Sequence, residues 1–152
     1  MTKIKSLKGR QVFDSRGNPT VEAEIFLENN ISATAISPSG ASTGAFEAHE
    51  LRDKNKDKFL GKSVNIAVDN INKKISNKLI GLECDDQNNI DKILIDLDGS
   101  ENKKNLGANA TLAVSLANSK SAALSVKKPL YKNLGKSFSL PSPLMNIING
   151  GA

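Results

Sequence analysis

The spacing of apolar residues changes once along the chain, and this change limits the possible folds more than any other feature. Residues 20–27 place Val21, Ala23, Ile25 and Leu27 at every second position, which is the pattern of a half-buried strand. From residue 64 onward, apolar residues recur at the spacing of helices instead. The chain is therefore predicted to form strands first and helices afterwards, an α+β domain.

Two further segments complete the predicted sheet. Residues 31–36 alternate in the same way, and residues 4–13 form a third, weaker strand. Asparagines in residues 28–30 and a Gly-Asn-Pro sequence in residues 14–19 favour short turns between the strands. Short connections predict a three-stranded antiparallel meander.

Four helices are predicted from Ser63 onward. The first has Ser63 as its N-cap, runs to Leu79 and ends before Gly81. A second begins at Asp85 or Asp86 and ends at Gly99. An alanine-rich helix follows over residues 108–126, and a short one over residues 130–134. The chain is thus a meander followed by a helical bundle.

The character of the sequence changes again near the C-terminus. A Pro-rich segment, residues 139–144, precedes an apolar stretch at 145–148 that favours the start of a strand. This strand has no evident partner within the chain. We therefore assign residues 1–138 to one domain and expect residues 139–152 to be a linker and the first strand of a truncated second domain.

Composition excludes several classes of protein. A single cysteine, Cys84, excludes an internal disulfide, and a single histidine, His49, excludes a zinc site with several histidines within the chain. The sequence contains no apolar stretch of about 18 residues, so a transmembrane helix is not expected. A cytoplasmic protein is the default expectation.

Positive charge is concentrated in the last third of the chain. The net charge is +5, and seven lysines but no acidic residue follow Glu101. Such a segment can bind nucleic acid, but aromatic residues that could stack on bases are not interleaved with these lysines. A solvated face or a contact with an acidic domain is therefore favoured over nucleic acid.

Two motifs could contribute to a functional site. Residues 37–44, Ser-Pro-Ser-Gly-Ala-Ser-Thr-Gly, combine glycines with hydroxyl groups and carry no charge, so they could approach an anion or a metal closely. They lead into residues 47–53, which are charged, contain His49 and are predicted to be helical. The alternative for residues 37–44 is a flexible connector.

The second motif is Phe13-Asp-Ser-Arg-Gly-Asn-Pro-Thr20. Asp14 can cap the turn, and Arg16 presents a fork that suits a carboxylate or phosphate. The residues alone favour a structural turn in which Arg16 forms an ordinary salt bridge. The aspartates of residues 85–98 are expected to lie on a solvated helix face rather than to bind metal.

Together these motifs resemble those of the enolase family along the whole chain. The matching segments are residues 13–20, 38–44, 50–53, 95–99, 107–117, 129–131 and 145–151. The resemblance implies an N-terminal domain with a three-stranded antiparallel sheet and helices, followed by a (β/α)₈ barrel that needs ~250 residues. The chain would stop as that barrel begins.

The resemblance also implies a reaction, a cofactor and an oligomer. The family interconverts 2-phosphoglycerate and phosphoenolpyruvate with two Mg²⁺ ions and a lysine base, as a homodimer or larger homo-oligomer. It implies that Gly40, Ala41, Ser42 and Thr43 form a mobile substrate flap, with Ser42 a ligand of the second Mg²⁺. Arg16 would lie near the site and the subunit contact. Arg10 and Glu22 would form ion pairs between subunits.

The remaining catalytic groups of the family lie in the barrel, so the chain is expected to be inactive by itself. Phe46 and His49 inherit no role, because the family varies there. One alternative is a binding module that contacts an acidic partner or RNA without catalysis. Another is a relative of enolase acting on a different carboxylate, which the Ser-Gly-Ala-Ser-Thr sequence argues against.

Overall fold

The structure is a computed structural model that describes residues 2–40, 44, 46–145 and 147. Three strands form an antiparallel sheet in the order β1-β2-β3, with bounds Ile4–Phe13, Pro19–Leu27 and Ser32–Ser37. Helices α1 to α5 follow, with bounds Asn65–Asn70, Ser76–Leu79, Gln87–Asp98, Ala108–Ser125 and Leu130–Leu134. The α+β prediction is confirmed.

The alternation of apolar residues in β2 sets which face of the sheet is buried. Val21, Ala23, Ile25 and Leu27 are all completely buried, and Ala23 lies between Gly9 of β1 and Ala35 of β3. The intervening glutamates point to the other face, where they remain partly exposed. One face therefore forms the core, and the other is free to carry charge.

The first helix contains an irregularity that fastens it to β1. Helices α1 and α2 are continuous through a π-helical segment at Ile71–Ile75. The Asn72 side chain within it donates to the Gly9 carbonyl at 3.1 Å and accepts from the Gly9 N–H at 2.8 Å. A Cβ atom on Gly9 would lie 3.0 Å from Ile71, so the close approach depends on glycine.

The predicted Ser63 N-cap is wrong. Ser63 is buried, and its hydroxyl donates to the Lys58 carbonyl at 3.5 Å instead. The carboxylate of Asp53 caps the helix by accepting from the N–H groups of Asn65 at 3.0 Å and Ile66 at 2.9 Å. A residue twelve positions away from Asn65 thus performs the task that the sequence assigned to a neighbour.

The later helices follow the sequence closely. Asp86 caps α3 by accepting from the Asn89 N–H at 3.1 Å, and Gly99 ends it with φ of 65°. Helix α4 packs across β2 and β3 through small buried residues that include Ala110, Ala113 and Ala117. These side chains let the helix approach the sheet closely.

The C-terminal segment beyond α5 carries no helix or strand in the residues that the structure describes, 135–145 and 147. Asn146 and Ile148 of the predicted strand at 145–148 lie outside the described residues, so this strand remains a prediction. Among the residues described, no helix is long and apolar enough to cross a membrane.

Candidate functional site

The loop predicted to carry function leaves the end of β3 and borders a cleft. The cleft has a volume of about 420 Å³. It is lined by residues of the loop and of the start of α4, namely Ser37, Pro38, Ser39, Gly40, Gly44, Glu47, Ala48, His49, Glu50, Ala108, Asn109 and Leu112. Of the predicted flap residues, Gly40 lies at this cleft, whereas Ala41, Ser42 and Thr43 lie outside the described residues.

The predicted helix over residues 47–53 is wrong, and His49 is not on a helix face. In the described residues of this range the backbone has no helical hydrogen bonds. The His49 N–H donates to the Asn102 carbonyl at 2.7 Å, and its carbonyl accepts from the Ala108 N–H at 2.8 Å. Distant segments therefore take the backbone groups that a helix would have paired with residues four positions away.

Asn109 holds the next part of the segment. Its side-chain oxygen accepts from the Leu51 N–H at 3.2 Å, and its nitrogen donates to the Leu51 carbonyl at 3.1 Å. Gly107 makes room for this contact, because its φ is 96° and an added Cβ atom would lie 2.5 Å from the Asn109 oxygen. The start of α4 thus fixes the C-terminal end of the loop.

A second set of contacts joins the two ends of the loop. The Ser39 hydroxyl donates to the Glu50 carboxylate at 2.6 Å, and Arg52 Nη2 donates to both groups at 2.6 Å. We call Ser39, Glu50 and Arg52 the flap neck. The Arg52 side chain is 17% exposed and that of Glu50 is 35% exposed, so the ion pair is partly protected from water.

Arg52 also anchors the flap neck to the body of the domain. Its Nη1 donates to the Pro19 carbonyl at 2.7 Å and also to the Lys62 carbonyl. Pro19 begins β2, and Lys62 lies just before helix α1. One guanidinium therefore connects the flap to the sheet and to the loop that precedes the first helix.

The turn that carries Arg16 lies beside the flap neck. The Asp14 carboxylate accepts from the N–H groups of Arg16 and Asn18, both at 2.9 Å. The hydrogen bond from Asn18 is the main reason that the pKa of Asp14 is lowered from its usual value. Arg16 lines a second cleft of about 380 Å³ together with Gly40, Arg52 and Lys62. The structure thus places Arg16 and Gly40 together.

Arg10 and Glu22 meet on the exposed face of the sheet. Arg10 Nη1 donates to Glu22 at 2.7 Å, and Nη2 donates to Glu24. These hydrogen bonds, with that to Glu24 the largest cause, raise the pKa of Arg10 above its already high value. The two residues therefore pair within the chain, and their predicted role between subunits remains a prediction.

Asp98 is an exception to the expected solvated row of aspartates. It is 3% exposed, and its carboxylate accepts from the Leu106 N–H at 2.7 Å and the Ser100 N–H at 3.0 Å. It organises the loop that contains Asn102, to which the His49 N–H is bonded. Asp98 therefore stabilises the loop to which the backbone of His49 is hydrogen-bonded.

The described residues offer isolated ligands for a metal ion rather than a complete set. Within residues 2–40, 44, 46–145 and 147, no group of three or more His, Cys, Asp or Glu could hold a metal ion. The lysines near the C-terminus lie elsewhere, and Lys127, Lys128, Lys132 and Lys136 are exposed around α5.

Sequence reasoning gave no role to Arg52 or Asn109. A signal for Arg52 was present, because Glu50-Leu-Arg-Asp53 is one of the segments that resemble the enolase family. No comparable signal distinguished the task of Asn109, which depends on contact with a residue 58 positions away. Such a contact is visible only once the chain is folded.

The fold and this site define a class, namely a small α+β domain that presents a tethered loop beside a cleft. A family model described as "Enolase, N-terminal domain" matches residues 4–134. The chain belongs to the enolase N-terminal domain family.

One curated relative gives the scale of the match. An enolase from Pelagibacter ubique (strain HTCC1062) is 58% identical to the chain over 154 residues. The match covers 100% of this chain and 37% of that relative. The chain therefore spans little more than a third of the length of this enolase.

Proposed function

We propose that this chain is the flap-bearing domain of an enolase that reversibly dehydrates 2-phosphoglycerate to phosphoenolpyruvate. The observation that carries the proposal is the Pro38-to-Gly44 motif, which follows β3 in a chain of the enolase N-terminal domain family. Ser39 of this motif bonds to Glu50 and Arg52 beside a cleft, and Arg52 also bonds to the Pro19 carbonyl of β2. As a glycolytic enzyme, the whole protein would act in the cytoplasm.

The flap residues suit a supporting role at a magnesium site. Ser42 and the flap carbonyl groups offer hard oxygen ligands of the kind that Mg²⁺ prefers. Because the described residues lack a group of carboxylates around a common point, Ser42 would add to ligands from outside them. When bound, Mg²⁺ supplies Lewis-acid stabilisation of the negative charge that develops on the substrate carboxylate.

The chain's own residues would enclose the substrate. Gly40 and Ala41 would bring the backbone close to it, since small residues allow close approach. Closure of residues 40–43 would exclude water from the reacting groups. Arg16, at the cleft shared with Gly40, would add positive charge near an anionic substrate.

The exposed face of the sheet would contribute to a homodimer. Arg10, Glu22 and Glu24 form a partly exposed charged cluster there. A partner subunit could exchange ion pairs with this cluster without disturbing the core on the opposite face. In this proposal the contact with the second subunit is separate from the flap.

A chimera tests the proposed function directly. Residues 1–152 would replace the aligned segment of the Pelagibacter ubique enolase, and formation of phosphoenolpyruvate would be followed by its ultraviolet absorbance. We expect activity with Mg²⁺, a loss of about 100-fold on Ser42→Ala, as for removal of one transition-state contact, and none from the 152-residue chain alone. A folded chimera without activity, or an active isolated chain, would contradict the proposal.

A further inference from the structure

The flap neck carries an inference that rests on the proposed function and extends it. We propose that Arg52 is a positioning residue, which acts through Ser39 and Glu50 to hold together the two sides of the segment that contains the flap. Ser39 and Glu50 would then already be held in place before substrate and metal arrive.

The first argument is the geometry of the hydrogen bonds. Ser39 and Glu50 are eleven residues apart, and their side chains bond directly at 2.6 Å. Arg52 bonds to both through the same Nη2 atom. These three contacts join positions 39 and 50, and joining two positions of a chain removes part of the entropy that it would otherwise retain.

The second argument is the rigidity of the anchor. Nη2 of Arg52 donates to Ser39 and Glu50. Nη1 donates to the carbonyl groups of Pro19 and Lys62. Because the guanidinium is planar, fixing one of its ends also fixes the direction of the other. The neck is thus held in one orientation relative to β2.

The third argument is that other contacts already secure the fold nearby. Asn109 holds Leu51, and the carboxylate of Asp53 caps α1. Neither contact involves the Ser39 hydroxyl. Ser39→Ala therefore removes the link to the flap and leaves the neighbouring supports in place, which separates positioning from folding.

A proteolysis experiment on the 152-residue chain needs neither metal nor substrate. Phe46 is fully exposed within the loop, so chymotrypsin cleavage after it reports how easily the tethered segment adapts to a protease. We expect cleavage to accelerate about tenfold in Ser39→Ala and Arg52→Gln, as for loss of a charge-assisted hydrogen bond. Cleavage after the exposed Phe138, which lies in the C-terminal segment and outside the flap neck, should not change.

Asp53→Ala is the matched structural control. It removes the cap of α1 but no member of the flap neck, so it should lower stability without a selective increase in cleavage after Phe46. If cleavage after Phe46 is accelerated equally in Asp53→Ala and Arg52→Gln, and the two variants are equally stable, Arg52 has a structural role only. Unchanged cleavage in Ser39→Ala would overturn the proposal.

Kinetics of the chimera test the consequence for the enzyme. In Ser39→Ala and Arg52→Gln we expect KM for 2-phosphoglycerate to rise about tenfold, with a smaller change in kcat, because the unlinked positions 39 and 50 must be brought together on binding. Arg52→Lys should restore only part of the effect, since an ammonium cannot make the forked contact. A fall in kcat alone would contradict the proposal.

A double-mutant cycle shows whether the neck acts as a unit. The effects of Ser39→Ala and Glu50→Ala on cleavage after Phe46 should be less than multiplicative when combined, because either change breaks the same contact. Independent effects would count against a common neck. If the unsubstituted chimera is inactive, the proposed function fails, whereas the proteolysis results still decide the role of Arg52.

Discussion

The sheet and its covering helices differ from the flap region, residues 37–62, in what holds them in place. In the sheet and helices, apolar side chains are buried in a continuous core that joins β2 to α4. In the flap region, side chains bond to backbone groups far away in sequence, such as Asn109 to Leu51 and Arg52 to Pro19. One part is stabilised by burial, the other mainly by directed polar contacts.

The difference shows how an irregular segment can occupy a defined position. Asn109 offers Leu51 one acceptor and one donor, as a neighbouring strand would. Asp53 similarly offers its carboxylate to two N–H groups of α1. In the described part of this region, polar side chains thereby take the place of the hydrogen bonds of regular secondary structure.

The largest expected effect comes from a cavity in the core. Ile75→Ala should lower the free energy of unfolding by about 4 kcal/mol, since Ile75 is completely buried and its removal leaves space that neighbours fill only in part. Urea denaturation of the 152-residue chain measures this change. The control Ile95→Ala, at a half-exposed position of α3, should cost far less. Similar losses at both positions would contradict a core built on burial.

The core was also the part that the sequence predicted best. Alternation in residues 20–27 and helical spacing after residue 64 both arise from the need to place apolar side chains on one face. The predicted bounds of β1 are those observed, Ile4–Phe13, and Asp86 is the one of the two predicted residues, Asp85 or Asp86, that caps the start of α3. These features depend on neighbours within a few residues.

The flap region could be predicted only in part. The motif at 37–44 predicted a change from strand to loop, and β3 ends at Ser37, but the segment after the motif was wrongly expected to be helical. Its backbone groups are taken by Asn102, Ala108 and Asn109, which follow it by more than fifty residues. Such partners cannot be predicted from the residues next to the segment. For the same reason the sequence did not predict that Asp53 rather than Ser63 caps α1.

The next effect tests the boundary between the two regions. Gly107→Ala should cost about 3 kcal/mol, because its φ of 96° is strained for alanine and the new Cβ would collide with Asn109 and Leu51. Gly81→Ala is the control, since its φ is 87° but nothing lies within 4 Å of an added Cβ. If thermal unfolding shows the same loss of stability in both variants, backbone strain alone accounts for the effect and the contact with the flap region does not contribute.

A smaller effect is expected where the flap region supports a helix. Asp53→Ala should lower the free energy of unfolding by about 1 kcal/mol, as for loss of other N-cap side chains. The comparison is Asp69→Ala, which removes an exposed ion pair with Lys73 and should change stability by only a few tenths of a kcal/mol. If the two variants unfold at the same urea concentration, Asp53 is not an effective cap.

The smallest effect concerns the dependence of stability on pH. It arises at Asp98, which stabilises the loop that is hydrogen-bonded to the backbone of His49. Burial by itself would raise the pKa of Asp98, but hydrogen bonds from Ser100, Leu106 and Asn105 together lower it below the ordinary value of 3.8. The folded carboxyl therefore holds its proton less tightly than the unfolded one. The stability that Asp98 adds to the folded chain is present above pH 3.8, and it is lost as the pH falls through the lower pKa of the folded state.

Asp98→Asn should accordingly reduce stability at neutral pH, and its difference from the unsubstituted chain should narrow as the solution is acidified below about pH 4. Urea denaturation at several pH values measures both proteins under the same conditions. Asp96→Asn, at an exposed position of the same helix, should reproduce the acid dependence of the unsubstituted chain. If the difference in free energy of unfolding between Asp98→Asn and the unsubstituted chain is the same at every pH, the shape of this side chain rather than its charge stabilises the loop that is hydrogen-bonded to His49.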